Sequence, residues 1–375
     1  MTENLFLQDQ AVSFHRPYPA SLTALHEKQP EQGIFYRQDG TPFLKLWMKN
    51  ACDVKIVIGQ DTYILLEVER NLWEVKLPLE PGFYYAALYV DSVEIVSPYL
   101  PIGYGYSRPC NYLEIGPAME ACRLKDVLHG SIRHEYFYSE VTGQTESCLV
   151  YAPPGYDRDQ LRLPVLYLQH GHGENEQCWV HQGRVNFIMD NLIAAGKAEP
   201  CIVVMNNGMV QKNENGVRVL DQTRIERLLL EDCIPFIESH YRVRTDKWSR
   251  AMAGLSMGSM QTSIVTMKHP DMFGYAGVFS GFVGPFNKTN AENSYIQLLD
   301  DREKFTQSFR VFFRACGDED LVALERFEAD RALFEEKGLA PAENSIHVEK
   351  MYPGEHEWNV WRMCLRDFAQ YLFHE

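Results

Sequence analysis

The segment Gly254-Leu255-Ser256-Met257-Gly258 sets a serine between two glycines at G-x-S-x-G spacing. On a tight turn from a strand into a helix, that spacing lifts the hydroxyl above the sheet edge. Small flanking residues let neighbouring elements approach. The helix N-terminus offers backbone N–H groups to developing negative charge. This is the chemistry of a nucleophile attacking a carbonyl. The bare pattern also occurs where a helix merely starts between two packing glycines. Here a short strand-like segment, 250–254, precedes it and an apolar-periodic helix, 257–267, follows, which favours the nucleophile.

A serine needs a base to take its proton. Of twelve histidines, His356 is the best placed, in Gly354-Glu355-His356-Glu357-Trp358 after an apolar patch at 347–351. It satisfies the chain order serine, acid, histidine. The acid should lie between them, past a strand end. Gly317-Asp318-Glu319-Asp320 offers three carboxylates after the apolar run 311–316. One would orient the imidazole and offset its charge. Spacing alone leaves open which.

His170-Gly171-His172-Gly173 closes another apolar run, 163–169. A turn of this kind can aim a backbone N–H at an oxyanion, with the N–H of Met257 as second donor. Read differently, His170 and His172 suggest a metal site. No third ligand has suitable local spacing, so no metal is expected. Cys178, His181 and Cys316 read as packing or surface residues.

These groups need a scaffold. The first third of the chain carries short runs rich in β-branched and aromatic residues, at 42–48, 54–59, 62–68, 73–77 and 83–90. Turn signals such as Asp39-Gly40 and Glu80-Pro81-Gly82 separate them, and the pattern predicts a small β-sandwich. Pro98, Pro101, Gly103, Gly105 and Pro109 are expected to break regular structure after it. Beyond about residue 124 the period changes. Continuous apolar runs at 163–169, 200–205 and 311–316 read as strands buried on both faces. Helical spacing at 186–195 and 224–239 alternates with them, predicting a mainly parallel α/β sheet. The expected division is a β module over residues 1–125 and an α/β unit over 126–375.

Composition narrows the classes. Among 375 residues, 45% are hydrophobic and 23% charged, as in ordinary globular proteins. The formal charge of −15 disfavours nucleic acid and anionic membranes as partners. No run approaches the roughly 18 apolar residues of a membrane span. The first ten residues do not read as a secretory signal, and nine scattered cysteines suggest reduced thiols. A cytoplasmic location is therefore expected. An enzyme without export would act on small imported substrates. A symmetric homo-oligomer is the general prior for soluble enzymes, with no residue here pointing to one.

Taken together, the motifs carry a likeness to a known family. Over residues 128–373 the chain resembles the esterase D-like α/β-hydrolases, and most closely the feruloyl esterases of the first carbohydrate-esterase family. The likeness runs through His129-Gly130, Val141-Thr142-Gly143 and Tyr151-Ala152-Pro153-Pro154-Gly155-Tyr156. It continues in His170-Gly171-x-Gly173 with Trp179, Asp190-Asn191-Leu192-Ile193, Asp232-Cys233-Ile234-Pro235 and Glu238-Ser239-His240-Tyr241. It ends in Ala253 through Gln261 and in Gly354-x-His356-x-Trp358 with Trp361. The resemblance implies that the acid is the aspartate of a Cys-Gly-x-x-Asp pattern, Asp320, with Asp318 as fallback. It implies an oxyanion hole from the N–H groups of His172 and Met257, and Trp179 and Gln261 near the substrate. Ser259 departs from the glycine usual after Gly258. The first module resembles the immunoglobulin-like domains related to glycogen-binding modules, through Asn71-Leu72-Trp73 and Pro81-Gly82-Phe83-Tyr84-Tyr85. Trp47 and Trp73 could be sugar platforms, but their alternation fits core packing better.

The expected function is a serine carboxylesterase on a small-molecule ester, without cofactor. The resemblance implies a hydroxycinnamoyl group such as ferulate on a sugar. The loops at 209–221 and 282–300, where the acyl pocket should lie, carry no readable code for it. An enterochelin-type esterase cleaving a siderophore trilactone is the alternative, weakened by the negative charge. An S-formylglutathione hydrolase fits less well because of the extra module. A carbohydrate-binding protein with a retired hydrolase domain is disfavoured by the intact Ser256, His356 and Asp320.

Overall fold

The computed structural model describes residues 30–374, apart from 117–118, 222–223, 285–290 and 343–344. The N-terminal ten residues read above thus lie outside the described residues, as does part of the 282–300 loop. The chain divides into two compact units, Met1–Leu124 and Lys125–Glu375.

Among the described residues, the first unit is built of β-strands, with one short 3-10 turn at Glu120–Cys122. Its strands are β1 (Gly33–Tyr36), β2 (Pro42–Trp47), β3 (Val54–Ile58), β4 (Asp61–Ile64), β5 (Leu66–Glu69), β6 (Leu72–Lys76), β7 (Gly82–Val90), β8 (Val93–Ile95), β9 (Ile102–Gly105) and β10 (Arg108–Ile115). They form two antiparallel sheets, β1-β2-β6-β5 and β4-β3-β7-β10-β9, with β8 beside β7. One core joins the sheets: Leu44, Leu46 and Trp73 from one meet Ile56, Leu88 and Leu113 from the other. Period-2 alternation supplies these inward residues. Trp73 is therefore a core residue, and Trp47 is half-buried.

Two expectations fail here. The run 62–68 is two strands, because buried Leu65 carries the chain from one sheet to the other. Ile64, Leu65 and Leu66 are continuously apolar across that crossing, with no Gly or Pro between the strands, so nothing in the run marks the break. The Pro/Gly-rich stretch after residue 98 does not end regular structure; β9 and β10 form a hairpin there. Tyr106 and Ser107 take φ of 53° and 62°, as a two-residue hairpin turn requires. Pro109 is tolerated because β7 pairs with β10 only from Asn111 onward, so no second neighbour needs its missing N–H.

The second unit is built on an eight-stranded sheet. Its strands are β11 (Ser131–Ser139), β12 (Gln144–Ala152), β13 (Val165–Gln169), β14 (Ile202–Asn206), β17 (Arg250–Leu255), β18 (Tyr275–Phe279), β19 (Val311–Gly317) and β20 (His347–Tyr352). A separate hairpin, β15 (Gln211–Glu214) and β16 (Val217–Leu220), occupies the 209–221 loop. The sheet order is β11-β12-β14-β13-β17-β18-β19-β20. From β14 to β20 it is parallel, while β11 and β12 are antiparallel. The edge strand β11 escapes the sequence pattern because it leaves Tyr136 and Tyr138 exposed.

Among the described residues, the α-helices of this unit are α1 (Cys178–His181), α2 (Val185–Ala194), α3, α4 (Met257–Lys268), α5 (Arg302–Ser308), α6 (Leu324–Glu336) and α7 (Trp358–Ala369). Helix α3 runs through Ile225–Arg227, a π-helical Leu228–Cys233 and Ile234–His240. The π turn leads straight into Pro235, whose missing N–H a regular α ladder would leave as a gap. Strand β19 shows the layering. Phe312 packs on Phe334 of α6, and Phe313 on Phe368 of α7, from opposite faces. The sheet is thus covered by helices on both sides, an α/β-hydrolase arrangement. No described helix is long and apolar enough to cross a membrane.

Candidate active site

Ser256, Asp320, His356 and the His170–Gly173 turn all follow the C-terminal ends of parallel strands, β17, β19, β20 and β13. Ligands of open α/β sheets bind at that edge. Ser256 has φ 50° and ψ −116°, a conformation costly for a residue with a Cβ. The fold enforces it from both sides. A Cβ on Gly254 would lie 2.5 Å from the carbonyl of Gly258, and one on Gly258 would lie 2.6 Å from the carbonyl oxygen of His170. Only glycines allow the helix start, strand and turn to meet this closely. The Ser256 N–H donates to Phe279 O at 2.9 Å, tying the elbow to β18.

Ser259 fits by a local exchange. Its hydroxyl donates to Ser256 O at 2.5 Å. The space comes from Gly281, where an added Cβ would fall 1.6 Å from Ser259 Oγ. The hydroxymethyl of Ser259 thus fills space that any side chain at position 281 would need.

The structure brings Ser256, His356 and Asp320 together. Ser256 Oγ lies 2.9 Å from His356 Nε2. His356 Nδ1 lies 3.0 and 2.9 Å from the two oxygens of Asp320. Asp320 is fully buried, and its Oδ1 also accepts the N–H groups of Val322 and Ala323. Burial pushes the Asp320 pKa up, but the His356 bond and charge and the Ala323 N–H outweigh it and hold the carboxyl below its ordinary range. An ionised Asp320 can only accept, so Nδ1 carries the proton and Nε2 presents its lone pair to Ser256. Ser256 remains partly open to solvent. Cys316 does more than pack: its Sγ lies 3.7 Å from Asp320 Oδ2, and burial together with that charge pushes the thiol up to about 12.

Asp318 has a different place. It is exposed and accepts the N–H of Gly354, in the loop that carries His356. Glu319 is also exposed, and its N–H donates to Gly354 O at 3.0 Å.

The 170–173 turn abuts the nucleophile, since a Cβ on Gly171 would lie 3.5 Å from Ser256 Cβ. The N–H of Gly171 goes to Glu174 Oε2 and that of Gly173 to Met209 Sδ. The N–H of Met257 opens α4 and has no carbonyl one turn back. His170 is buried neutral, pushed down to about 4 by its burial. Its Nδ1 faces Gly171 O and its Nε2 accepts the Gly208 N–H, so backbone engages both nitrogens. A metal would find no free lone pair on this ring.

Trp179 and Gln261, expected near the substrate, point inward. Trp179 is fully buried and donates to Gln169 O, while Gln261 is 5% exposed and donates to Gly208 O. They brace the strand ends beneath the site. Glu174 was not singled out from sequence; its only signal is a carboxylate directly after the glycine-rich turn.

Residues 139–371 match the family model described as "Putative esterase". An endo-1,4-beta-xylanase/feruloyl esterase of Xylanibacter ruminicola is 35% identical over 344 residues, which is 86% of this chain and 44% of that protein. Endo-1,4-beta-xylanase Y of Acetivibrio thermocellus is 26% identical over 253 residues, 64% of this chain and 23% of that protein. The chain thus spans less than half the length of either relative. A ferulic acid esterase of Anaeromyces mucronatus, solved with ferulic acid, superposes with TM-score 0.59 at 23% identity, covering 69% of this chain and 96% of that one. The enterobactin esterase of Shigella flexneri superposes with TM-score 0.61 at 13% identity, covering 92% of this chain and 94% of that one. Both likenesses show a shared fold. With the family match spanning well over half of the chain, including Ser256, Asp320 and His356, this protein belongs to the Esterase family.

Proposed function

We propose that the protein is a serine carboxylesterase acting on hydroxycinnamoyl esters of sugars or oligosaccharides. The observation that carries this reading is the unbroken train Ser256 Oγ, His356 Nε2, His356 Nδ1, Asp320. His356 takes the Ser256 proton as Oγ attacks the ester carbonyl. The carbonyl oxygen becomes an oxyanion, for which the N–H groups of Met257 and His172 are the proposed donors; removing one such donor typically costs about 100- to 1000-fold. Asp320 holds the imidazole tautomer and offsets the charge that His356 gains. His356 then protonates the leaving alcohol, and water releases the acid from Ser256 by the same steps in reverse roles. The geometry also counts against a retired hydrolase domain, since every member stands within hydrogen-bond reach of the next.

The feruloyl specificity draws support from the Xylanibacter relative, whose name includes feruloyl esterase. The chain beside the triad is acidic: Asp318, Glu319, Glu355 and Glu357 flank Asp320 and His356. Such a rim would repel an anionic ferric chelate, which weighs against the siderophore alternative.

A substrate panel tests both parts. Wild type and Ser256→Ala are offered a short aryl ester, methyl ferulate and a ferric trilactone. The proposal expects ferulate release that Ser256→Ala abolishes. Absence of turnover on every ester, with no labelling by a serine-directed phosphonate, overturns the esterase reading. A preference for the trilactone by orders of magnitude overturns the feruloyl reading.

A further inference from the structure

We propose that Glu174 is a positioning residue for the oxyanion turn and for the His356 element together; this rests on the esterase reading above. The carboxylate is 7% exposed and lies immediately after the His170–Gly173 turn. Its Oε2 accepts the Gly171 N–H at 2.9 Å. Its Oε1 accepts the indole Nε1–H of Trp358 at 3.1 Å, across 184 residues of chain. One rigid, planar group thus spans two pieces of the site that arise on different strands.

Each bond has a consequence. The N–H of Gly171 and the carbonyl of His170 belong to one peptide, next to the peptide that carries the His172 N–H. Fixing the first limits how far the second can rotate, because the turn is only four residues long. On the other side, Trp358 starts α7 two residues after His356. Trp358 meets Trp361 edge to face at 5.2 Å, and Trp361 meets the His356 ring edge to face at 5.2 Å. Trp179 closes the far side of Trp358, also at 5.2 Å. Holding the Trp358 indole therefore holds the wall against which the imidazole stands.

The chemistry calls for a carboxylate. Two N–H donors converge on it, and a carboxylate has acceptors on both oxygens. Glutamine has one oxygen and one NH₂, so one of the two buried donors would face another donor. The misfit is small in volume and large in geometry. An error of about 1 Å in a reacting group can cost about 100-fold in rate. Because the oxyanion forms only during reaction, the loss should fall on kcat rather than KM.

The test compares wild type, Glu174→Gln and Trp358→Phe on one aryl ester, with near-ultraviolet circular dichroism to count folded protein. Expected for Glu174→Gln is a kcat lower by about 10- to 100-fold per folded molecule, with KM within about threefold. A boronic acid, which becomes a tetrahedral anion on Ser256, should lose affinity by a similar factor. Trp358→Phe keeps an aromatic, though smaller, ring and removes the donor to Oε1, and should lose kcat by a smaller factor because the turn bond survives. A Glu174→Gln enzyme whose kcat and boronate affinity stay within about threefold of wild type overturns the proposal. So does a kcat loss matched by loss of folded protein while Trp358→Phe is fully active. A wild type without turnover overturns the esterase reading itself, so the two failures are distinct.

Discussion

Asp318 Oδ1 accepts the backbone N–H of Gly354 at 3.0 Å, two residues before the histidine that Asp320 orients. The two aspartates of one loop thus act on one neighbouring loop in different ways. Asp320 binds the imidazole, and Asp318 binds the backbone that carries it. Two further bonds join the same segments: Asp318 N–H to Tyr352 O at 2.8 Å and Glu319 N–H to Gly354 O at 3.0 Å. Gly317 makes the approach possible, because a Cβ there would sit 2.3 Å from Gly354 O.

Substituting the two aspartates should therefore separate their roles. Asp320→Asn should lower kcat by about 10³- to 10⁴-fold, since an amide favours the wrong imidazole tautomer. Asp318→Asn should lower it by about tenfold or less, since amide oxygen still accepts the Gly354 N–H. Steady-state kinetics on one aryl ester checks this. Equal losses at both positions would contradict the division.

The exchange between Ser259 and Gly281 predicts a rescue. Gly281→Ala alone should destabilise the protein and reduce activity, because its methyl would overlap Ser259 Oγ. Ser259→Gly should relieve the overlap, so the double variant should recover most of the lost stability. A double-mutant cycle by denaturant melting reads the coupling, expected at about 1–3 kcal/mol. Additive single effects would show that the two positions do not share the space.

Much of the site could be read in the chain because its parts are local. Gly254 to Gly258 builds the elbow from one turn, and His170 to Gly173 builds the facing turn. What pattern could not assign were pairings across distance. Asp318 and Asp320 both follow β19, and only burial and the direction of each side chain distinguish them. Trp179 and Gln261 sit in motifs beside the site yet face inward, since spacing does not report which side of a turn a side chain takes. In the first unit, strands with clean alternation were legible. β10 was not, because Pro109 is acceptable only where one neighbouring strand is missing.

Trp73 provides a test of that first-unit reading. It lies in the shared core at 7% exposure, so Trp73→Ala should destabilise the unit by about 3–5 kcal/mol. Half-buried Trp47 should cost less. Urea melts of the whole chain, followed by far-ultraviolet circular dichroism, check the order. A Trp73→Ala protein that melts like wild type but loses retention on immobilised xylan or glucan would restore the sugar-platform role.

His347 sets a dependence of stability on pH. It is 2% exposed on β20, with Nδ1 facing Leu339 O at 2.7 Å, and its ring lies 4.4 Å from that of Phe334. Burial, with the nearby Arg314 charge, outweighs the Leu339 carbonyl and lowers its pKa to about 4. The unfolded imidazole titrates near 6.5, roughly its ordinary value. Above that pH both states are neutral, and this group adds no pH dependence. As pH falls from about 6.5 towards about 4, the unfolded chain binds a proton that the folded one refuses. Stability then falls, by up to about 1.4 kcal/mol per pH unit for each such group. His170 has the same depressed value of about 4 and adds to the slope in the same window. His347→Phe removes one of the two titrations. It loses the bond to Leu339 O and so should start less stable at neutral pH. Its stability should then decline less steeply on acidification than that of wild type. Urea midpoints taken in half-unit steps through this window measure both slopes. Parallel lines for the two proteins would mean that His347 is protonated in the folded state as readily as in the unfolded one.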